Sequence, residues 1–204
     1  MFSSTAWSLS AALSMALRYR ALVPRLKPLP DLWLISDARN DADLERALAR
    51  LPRASGFIYR HYHLHRHARY RRFQALRRIA RARGHMVIVS GSARMACSWR
   101  ADGAYGAANA LGPCPHGMVQ LATAHSAREI ADAARKGADA VLLSPVFATR
   151  SHPGGAVLGP VRFRLLARLS PVPVIALGGM DAHTARAIRW PRWAAIDGLS
   201  GNAP

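Results

Sequence analysis

A chain of 204 residues, half of them hydrophobic, can bury one substantial core and is more simply one domain than two. Its two cysteines, Cys97 and Cys114, have neither the density of a disulfide framework nor metal-ligand spacing, which argues against a disulfide-stapled secreted domain and points to a reducing, cytoplasmic setting. The formal net charge of +18 is nearly all arginine, only Lys27 and Lys136 being lysines, and it spreads over helix faces at Arg46, Arg50, Arg77, Arg78, Arg81 and Arg83; a solvated basic surface explains it better than a nucleic-acid interface, and a small anionic substrate is the expected partner.

The chain opens with MFSSTAWSLSAALSMALRYRALVPRLKPLP, an apolar stretch of signal-like length without a basic segment before it or an Ala-x-Ala cleavage site, and too short for a membrane span. Two readings stand side by side: a start at Met15, or a helix packing on the domain. VPRLKPLP then reads as an extended connector, so residues 1–30 form a helix and connector and 31–204 the domain.

From residue 32 short apolar runs alternate with longer amphipathic segments, the mark of βα units. LWLIS (32–36) is a first strand, and DADLERALARL (41–51) a helix with acids in its first turn, where they complement the helix dipole. GFIYRHY (56–62) is a second strand, followed by a helix over 68–84 that Gly84 ends. MVIVS (86–90) is a third strand with a short helix, SARMACSW. ADGAYG is a weak fourth, and AANALGPCPHG after it is too rich in Gly and Pro for a full helix. MVQLAT (118–123) is a fifth strand, and SAREIADAARKG a helix with a capping box of Ser126 and Glu129. ADAVLLSPVF precedes GPVRFRLLARLS, with Pro160 early in the helix; VPVIALGG precedes DAHTARAIRW; WAAIDGL (193–199) is the eighth strand.

Eight units in this span are the count of a small (β/α)8 barrel, with an open doubly wound sheet as the competitor. Only NAP follows IDGLSG, so the eighth helix is missing or replaced by an N-terminal helix, residues 5–20, across the gap or the barrel bottom.

Chemistry in such a barrel sits at the C-terminal ends of the strands. That rule selects SDARN, Arg60 with the histidine run, VSGSA, ATAHS, SPVFATRSHPGG, the pair Gly178 and Gly179, and DGLSG. The late loops favour a phosphate cradle: glycines let backbone N–H groups approach an anion, and a helix N-terminus adds positive potential.

LWLISDAR, ATAHSAREIADAARKGADAVLLSPVFATRSHPGG and SPVPVIALGGM resemble the thiamine-phosphate synthase/TenI superfamily of (β/α)8 barrels, which handle the phosphorylated thiazole half of thiamine. The resemblance runs from about residue 32 to 200. Ser144, Pro145, Val146, Phe147, Thr149, Arg150 and Ser151 match the family's Gly-Pro-Val-Phe-x-Thr-Lys-Thr loop, which implies that Thr149, Arg150, Ser151, Gly178 and Gly179 hold phosphate and thiazole groups.

The departures carry equal weight. Where the family has Gln-x-Arg-x-Lys after strand two, this chain keeps Arg60 but has Ile58 and Tyr62; where it has Asn-Asp after strand three, Ser90 and Gly91 stand; YGAANA lacks the acid expected after strand four. A synthase needs acidic ligands for Mg2+ and a basic pocket for pyrophosphate, and those are the positions lost. The TenI branch, similar to thiazole tautomerases, needs no metal but a proton shuttle, a role the resemblance places on His125 in ATAHS. A neutral imidazole both accepts and donates near pH 7.

Other residues admit structural and functional readings alike. Asp37 and Arg39 match the family's Asp-Arg and are a turn-forming ion pair or part of the pocket. His152 lies in the phosphate loop, Asp197 is an acid of the late loops, and Trp33, Trp99, Trp190 and Trp193 fit barrel or helix packing. In YRHYHLHRHARYRR (59–72) an extended chain would put His61, His63, His65 and His67 on one face. No Cys or acid lies in the segment and Arg60, Arg66, Arg69, Arg71 and Arg72 would repel a cation, so the reading is a pocket edge and no metal.

The sequence therefore reads as a TenI-like barrel with His125 as acid/base, Arg60 and the late loops as an anion cradle, and no cofactor. The alternatives are a synthase with an altered pyrophosphate site, the one case that requires Mg2+; a non-catalytic binder of a phosphorylated ligand; and a basic nucleic-acid-associated protein. No membrane partner is expected, and a homo-oligomer stays open.

Overall fold

Strands buried on both faces need one set of side chains for the barrel interior and another for the surrounding helices, and this chain supplies both. The computed structural model describes residues 28–151 and 154–199. Its strands are β1 (Leu32–Ile35), β2 (Gly56–Tyr59), β3 (Met86–Ser90), β4 (Gly103–Ala107), β5 (Val119–Ala124), β6 (Ala140–Leu143), β7 (Val174–Ala176) and β8 (Trp193–Ala195). Each pairs in parallel with the next, and Leu32 of β1 stands opposite Trp193 of β8, closing the barrel. Closure rules out the open doubly wound sheet.

The helices among the described residues are α1 (Leu44–Arg50), α2 (Arg66–Ala82), α3 (Ala93–Trp99), α4 (Ala108–Leu111), α5 (Ala127–Arg135), α6 (Gly159–Leu169) and α7 (Ala182–Ile188). Period-two alternation divides the core in two. Trp33, Ile35, Ile58, Ile88, Leu121 and Leu142 fill the barrel, whereas Leu34, Phe57, Val87, Val141 and Phe163 belong to the layer between sheet and helices. A fully buried side chain of this size contributes roughly 1.5–3 kcal/mol. Trp33 depends on a glycine: a Cβ on Gly56 would lie 2.1 Å from the indole. The other tryptophans named above also pack, Trp99 on Phe73, Trp190 edge-on to Phe163, and Trp193 against the layer between sheet and helices.

Local structure departs from the sequence reading where a side chain competes for the backbone. A 3-10 turn, Ala38–Asp43, precedes α1 because Asp37 and Asn40 form a reciprocal capping box. Buried Asn40 also donates from Nδ2 to the carbonyls of Ile35 and Ile196, stitching β1 to β8. The second strand ends at Tyr59 rather than residue 62, since His61 turns the chain at φ 38°. Ser126 caps α5 as read, but Glu129 Oε2 accepts the N–H of His125, one residue further back than a capping box requires. No helix follows β8 among the described residues; the N-terminal helix expected at 5–20 lies outside them. No described helix is long and apolar enough to cross a membrane.

Candidate active site

At the C-terminal end of the barrel the inward-facing register continues past the last strand residues and lines a cleft. Ile58 is in the barrel interior, and two residues on Arg60 reaches the cleft, followed by Tyr62. These residues, with Tyr105, Thr123, His125 and Ser144, border a cavity of about 510 Å³. A second cavity of about 320 Å³ adjoins it, bordered by Arg39, Arg150, Gly179, Asp181 and Asp197. Thr149, Leu177, Gly178 and Ile196 belong to both, so the two are lobes of one cleft.

His125 is fixed by its neighbours. Its backbone N–H donates to Glu129 Oε2 at 3.0 Å, and its Nδ1 lies 2.7 Å from the Ser144 carbonyl. A carbonyl only accepts, so Nδ1 carries the proton in the neutral ring and Nε2 the lone pair. Nε2 makes no hydrogen bond among the described residues. Arg60 is equally uncommitted: its guanidinium forms no ion pair among the described residues and lies 5.5 Å from the centre of the Tyr62 ring. Burial pushes the Tyr105 hydroxyl up to about 12, so it remains a neutral donor on the cavity wall.

The loop after β6 lies directly on the glycine pair. Val146 N–H donates to the Leu177 carbonyl and Phe147 N–H to that of Gly178. Gly178 and Gly179 have φ 94° and 61°, and a Cβ would stand 2.7 Å from Pro145 Cα and 2.4 Å from the Ala148 carbonyl oxygen respectively. The glycines thus seat the loop that presents Thr149, Arg150 and Ser151. Arg150 is exposed and makes no ion pair among the described residues. The expected positive helix N-terminus is not available: α7 has seven residues, and the Asp181 carboxylate caps it by accepting the N–H of Thr184 at 2.7 Å. That hydrogen bond holds the Asp181 carboxyl below the usual carboxylate range. His152 lies outside the described residues.

Arg39 joins three strand ends. It donates to Asp37 at 2.9 Å and to Ser151 Oγ at 3.0 Å, and pairs with Asp197 at 3.3 Å. Burial opposes ionisation of Asp37, but the hydrogen bonds from Arg39 outweigh it and hold the carboxyl low. Arg39 is therefore both the turn-forming partner and part of the cleft wall, and Asp197 is paired with it.

The histidine run does not form one face. His61 points away from the cleft, buried against Tyr59 with ring centroids 4.6 Å apart, with Nδ1 2.8 Å from Ser36 Oγ and Nε2 2.8 Å from Asp41 Oδ1. Burial drives its pKa down against the pull of Asp41. His63 comes within 4.9 Å of His61, whereas His65 is the N-cap of α2 and His67 lies in its first turn. The left-handed residue at 61 ends the alternation the sequence reading assumed. Arg60 and Tyr62, flanking it, do face the cleft.

Two positions that depart from the family pattern touch each other: the hydroxyls of Tyr62 and Ser90 are hydrogen-bonded. Arg69 braces both, donating to the Ser90 carbonyl at 2.7 Å and lying 5.3 Å from the centre of the Tyr62 ring. None of the described residues lining the larger cavity is acidic, and the two acids of the smaller one serve the α7 cap and Arg39. Magnesium, which prefers carboxylate oxygens, finds no uncommitted carboxylate there.

No curated protein matches the sequence. Among solved structures, thiamine phosphate pyrophosphorylase from Pyrococcus furiosus superposes with a TM-score of 0.68 at 23% identity, over 84% of this chain and 87% of its own. FabK from Thermotoga maritima gives 0.65 at 16% identity over 85% and 60%, and an HpcH/Hpal aldolase/citrate lyase family protein from Burkholderia cenocepacia gives 0.60 at 14% over 89% and 94%. At these identities the likeness is one of fold. The sequence pattern of the TMP-TENI family, described as thiamine monophosphate synthase, matches residues 32–199, so the chain belongs to that family.

Proposed function

We propose that the protein binds a phosphorylated thiazole-type ligand of thiamine metabolism and moves a proton on it at His125, without a metal. The observation that carries this reading is the held imidazole: Nδ1 is occupied by the Ser144 carbonyl, so a basic Nε2 remains on a cavity whose described lining has no carboxylate. Nε2 takes a proton from one ring position and returns it at another, leaving the composition of the ligand unchanged. Arg60, Thr149, Arg150 and Ser151 supply the cations and hydroxyls that suit a phosphate ester.

Thiazole phosphate should raise the melting temperature by several degrees when present well above its Kd. The protein should isomerise the ligand in the presence of EDTA, with a loss of roughly 10²–10⁴ in His125→Ala. No thermal shift at millimolar ligand would defeat the whole reading. A shift without turnover would leave a binding protein, and condensation with the pyrimidine pyrophosphate only when Mg2+ is added would favour the synthase.

A further inference from the structure

Outside the cleft, Asp41, His61 and His63 bring a carboxylate oxygen and two imidazole nitrogens within 4.8 Å of one another. From this cluster we infer that the protein has a second site, for a late first-row divalent cation such as Zn2+, on the outer side of the loop that carries Arg60 and Tyr62. Two imidazoles and a carboxylate are a donor set of the kind zinc takes, with a position left for water.

The acid that the histidine segment lacks arrives from the 3-10 turn after β1. The arginines that would repel a cation are mostly solvated or engaged elsewhere: Arg66 and Arg71 are exposed, Arg60 faces the cleft, and Arg69 donates to the Arg60 and Ser90 carbonyls. Only Arg72 is close, donating to Asp41 Oδ1 at 2.8 Å, and it is shared with Glu45. One arginine between two carboxylates leaves a formal charge of −1 beside two neutral imidazoles.

His61 is oriented as metal-bound histidines are, with one nitrogen toward the acid and the other anchored. Without a metal, Nε2–H donates to Asp41, and Nδ1 accepts from the Ser36 hydroxyl. A bound cation takes the Nε2 lone pair, and the ring proton moves to Nδ1, where Ser36 Oγ accepts it. Donor atoms around a tetrahedral zinc lie roughly 3.3 Å apart for bonds of about 2.0–2.1 Å. Closing to that spacing falls to His63, which is exposed and makes no hydrogen bond among the described residues. The cation would clamp the turn after β1 to the loop after β2, immobilising one edge of the cleft.

Calorimetry of the full chain with Zn2+ should give one tight equivalent with Kd on the order of 1–10 μM, weaker than a four-ligand structural site. Co2+ should give the visible absorption of a four-coordinate complex. His63→Ala, at an exposed position, should weaken binding at least tenfold, whereas the double variant His65→Ala/His67→Ala should keep it. Retention in His63→Ala, loss in the double variant, or no tight equivalent in the wild type would each overturn the site.

Discussion

Arg39 Nη2 donates to Ser151 Oγ at 3.0 Å across 112 residues of chain. The same guanidinium holds Asp37 and Asp197, so one side chain fixes the ends of β1 and β8 against the loop after β6. All these partners are at least partly exposed, and ion pairs of that kind are worth about 0–1 kcal/mol. Arg39 therefore matters for position more than for stability. In Arg39→Ala the melting temperature should move by only a few degrees, while the affinity for thiazole phosphate falls by about tenfold, the cost of one charge-assisted contact and a loosened loop. Parallel melting curves and ligand titrations separate the two effects. A large loss of stability with unchanged affinity would make Arg39 purely structural.

Gly179 makes a complementary test of the loop. Its φ of 61° and the 2.4 Å approach of the Ala148 carbonyl leave no room for a side chain. Gly179→Ala should cost about 1–3 kcal/mol and weaken anion binding, because the displaced backbone belongs to the loop bearing Thr149 and Ser151. Gly106 also borders the cleft, but a Cβ there meets only Leu111 at 3.8 Å. Gly106→Ala should be nearly neutral in stability by denaturant titration.

The contact between Tyr62 and Ser90 predicts what single reversions cannot do. Tyr62→Lys restores a cation where the family has one, yet Ser90, Gly91 and the end of β4 still provide no carboxylate. Tyr62→Lys should therefore show no Mg2+-dependent condensation, though its affinity for inorganic pyrophosphate should rise by severalfold through the added charge. Turnover in this single variant would show that the acids are dispensable.

Much of the barrel was legible because its signal is repetitive: eight apolar runs, each with a period-two face, admit few closures. The cleft positions followed from strand ends alone, and His125, Arg60, Thr149, Ser151 and Gly178 do border one cavity. Arg150 and Gly179 border its neighbour. What escaped the sequence was long-range. Nothing near Asn40 announces that it joins the first and last strands, and nothing near Arg39 that it reaches Ser151. The histidine run misled because one left-handed residue, His61, is invisible to an argument from alternation. A spacing rule holds only as far as the strand does.

His85 gives a pH dependence free of the cleft. It is buried, with Nε2 donating to the Leu48 carbonyl at 3.0 Å near the end of α1, and its Nδ1 has no hydrogen-bond partner among the described residues. Burial lowers its pKa, outweighing the Leu48 hydrogen bond. In the unfolded chain the ring titrates near about 6.5. Below that pH the unfolded state binds a proton that the folded state refuses, so stability is complete above about pH 6.5 and falls as the solution is acidified toward the lower folded pKa. One proton sets the limit at about 1.4 kcal/mol per pH unit. His85→Gln keeps an N–H for the Leu48 carbonyl and cannot titrate, so its stability should lose less between pH 6.5 and 5 than that of the wild type. Denaturant titrations at both pH values measure the difference; equal losses in the two proteins would mean that His85 charges as readily folded as unfolded.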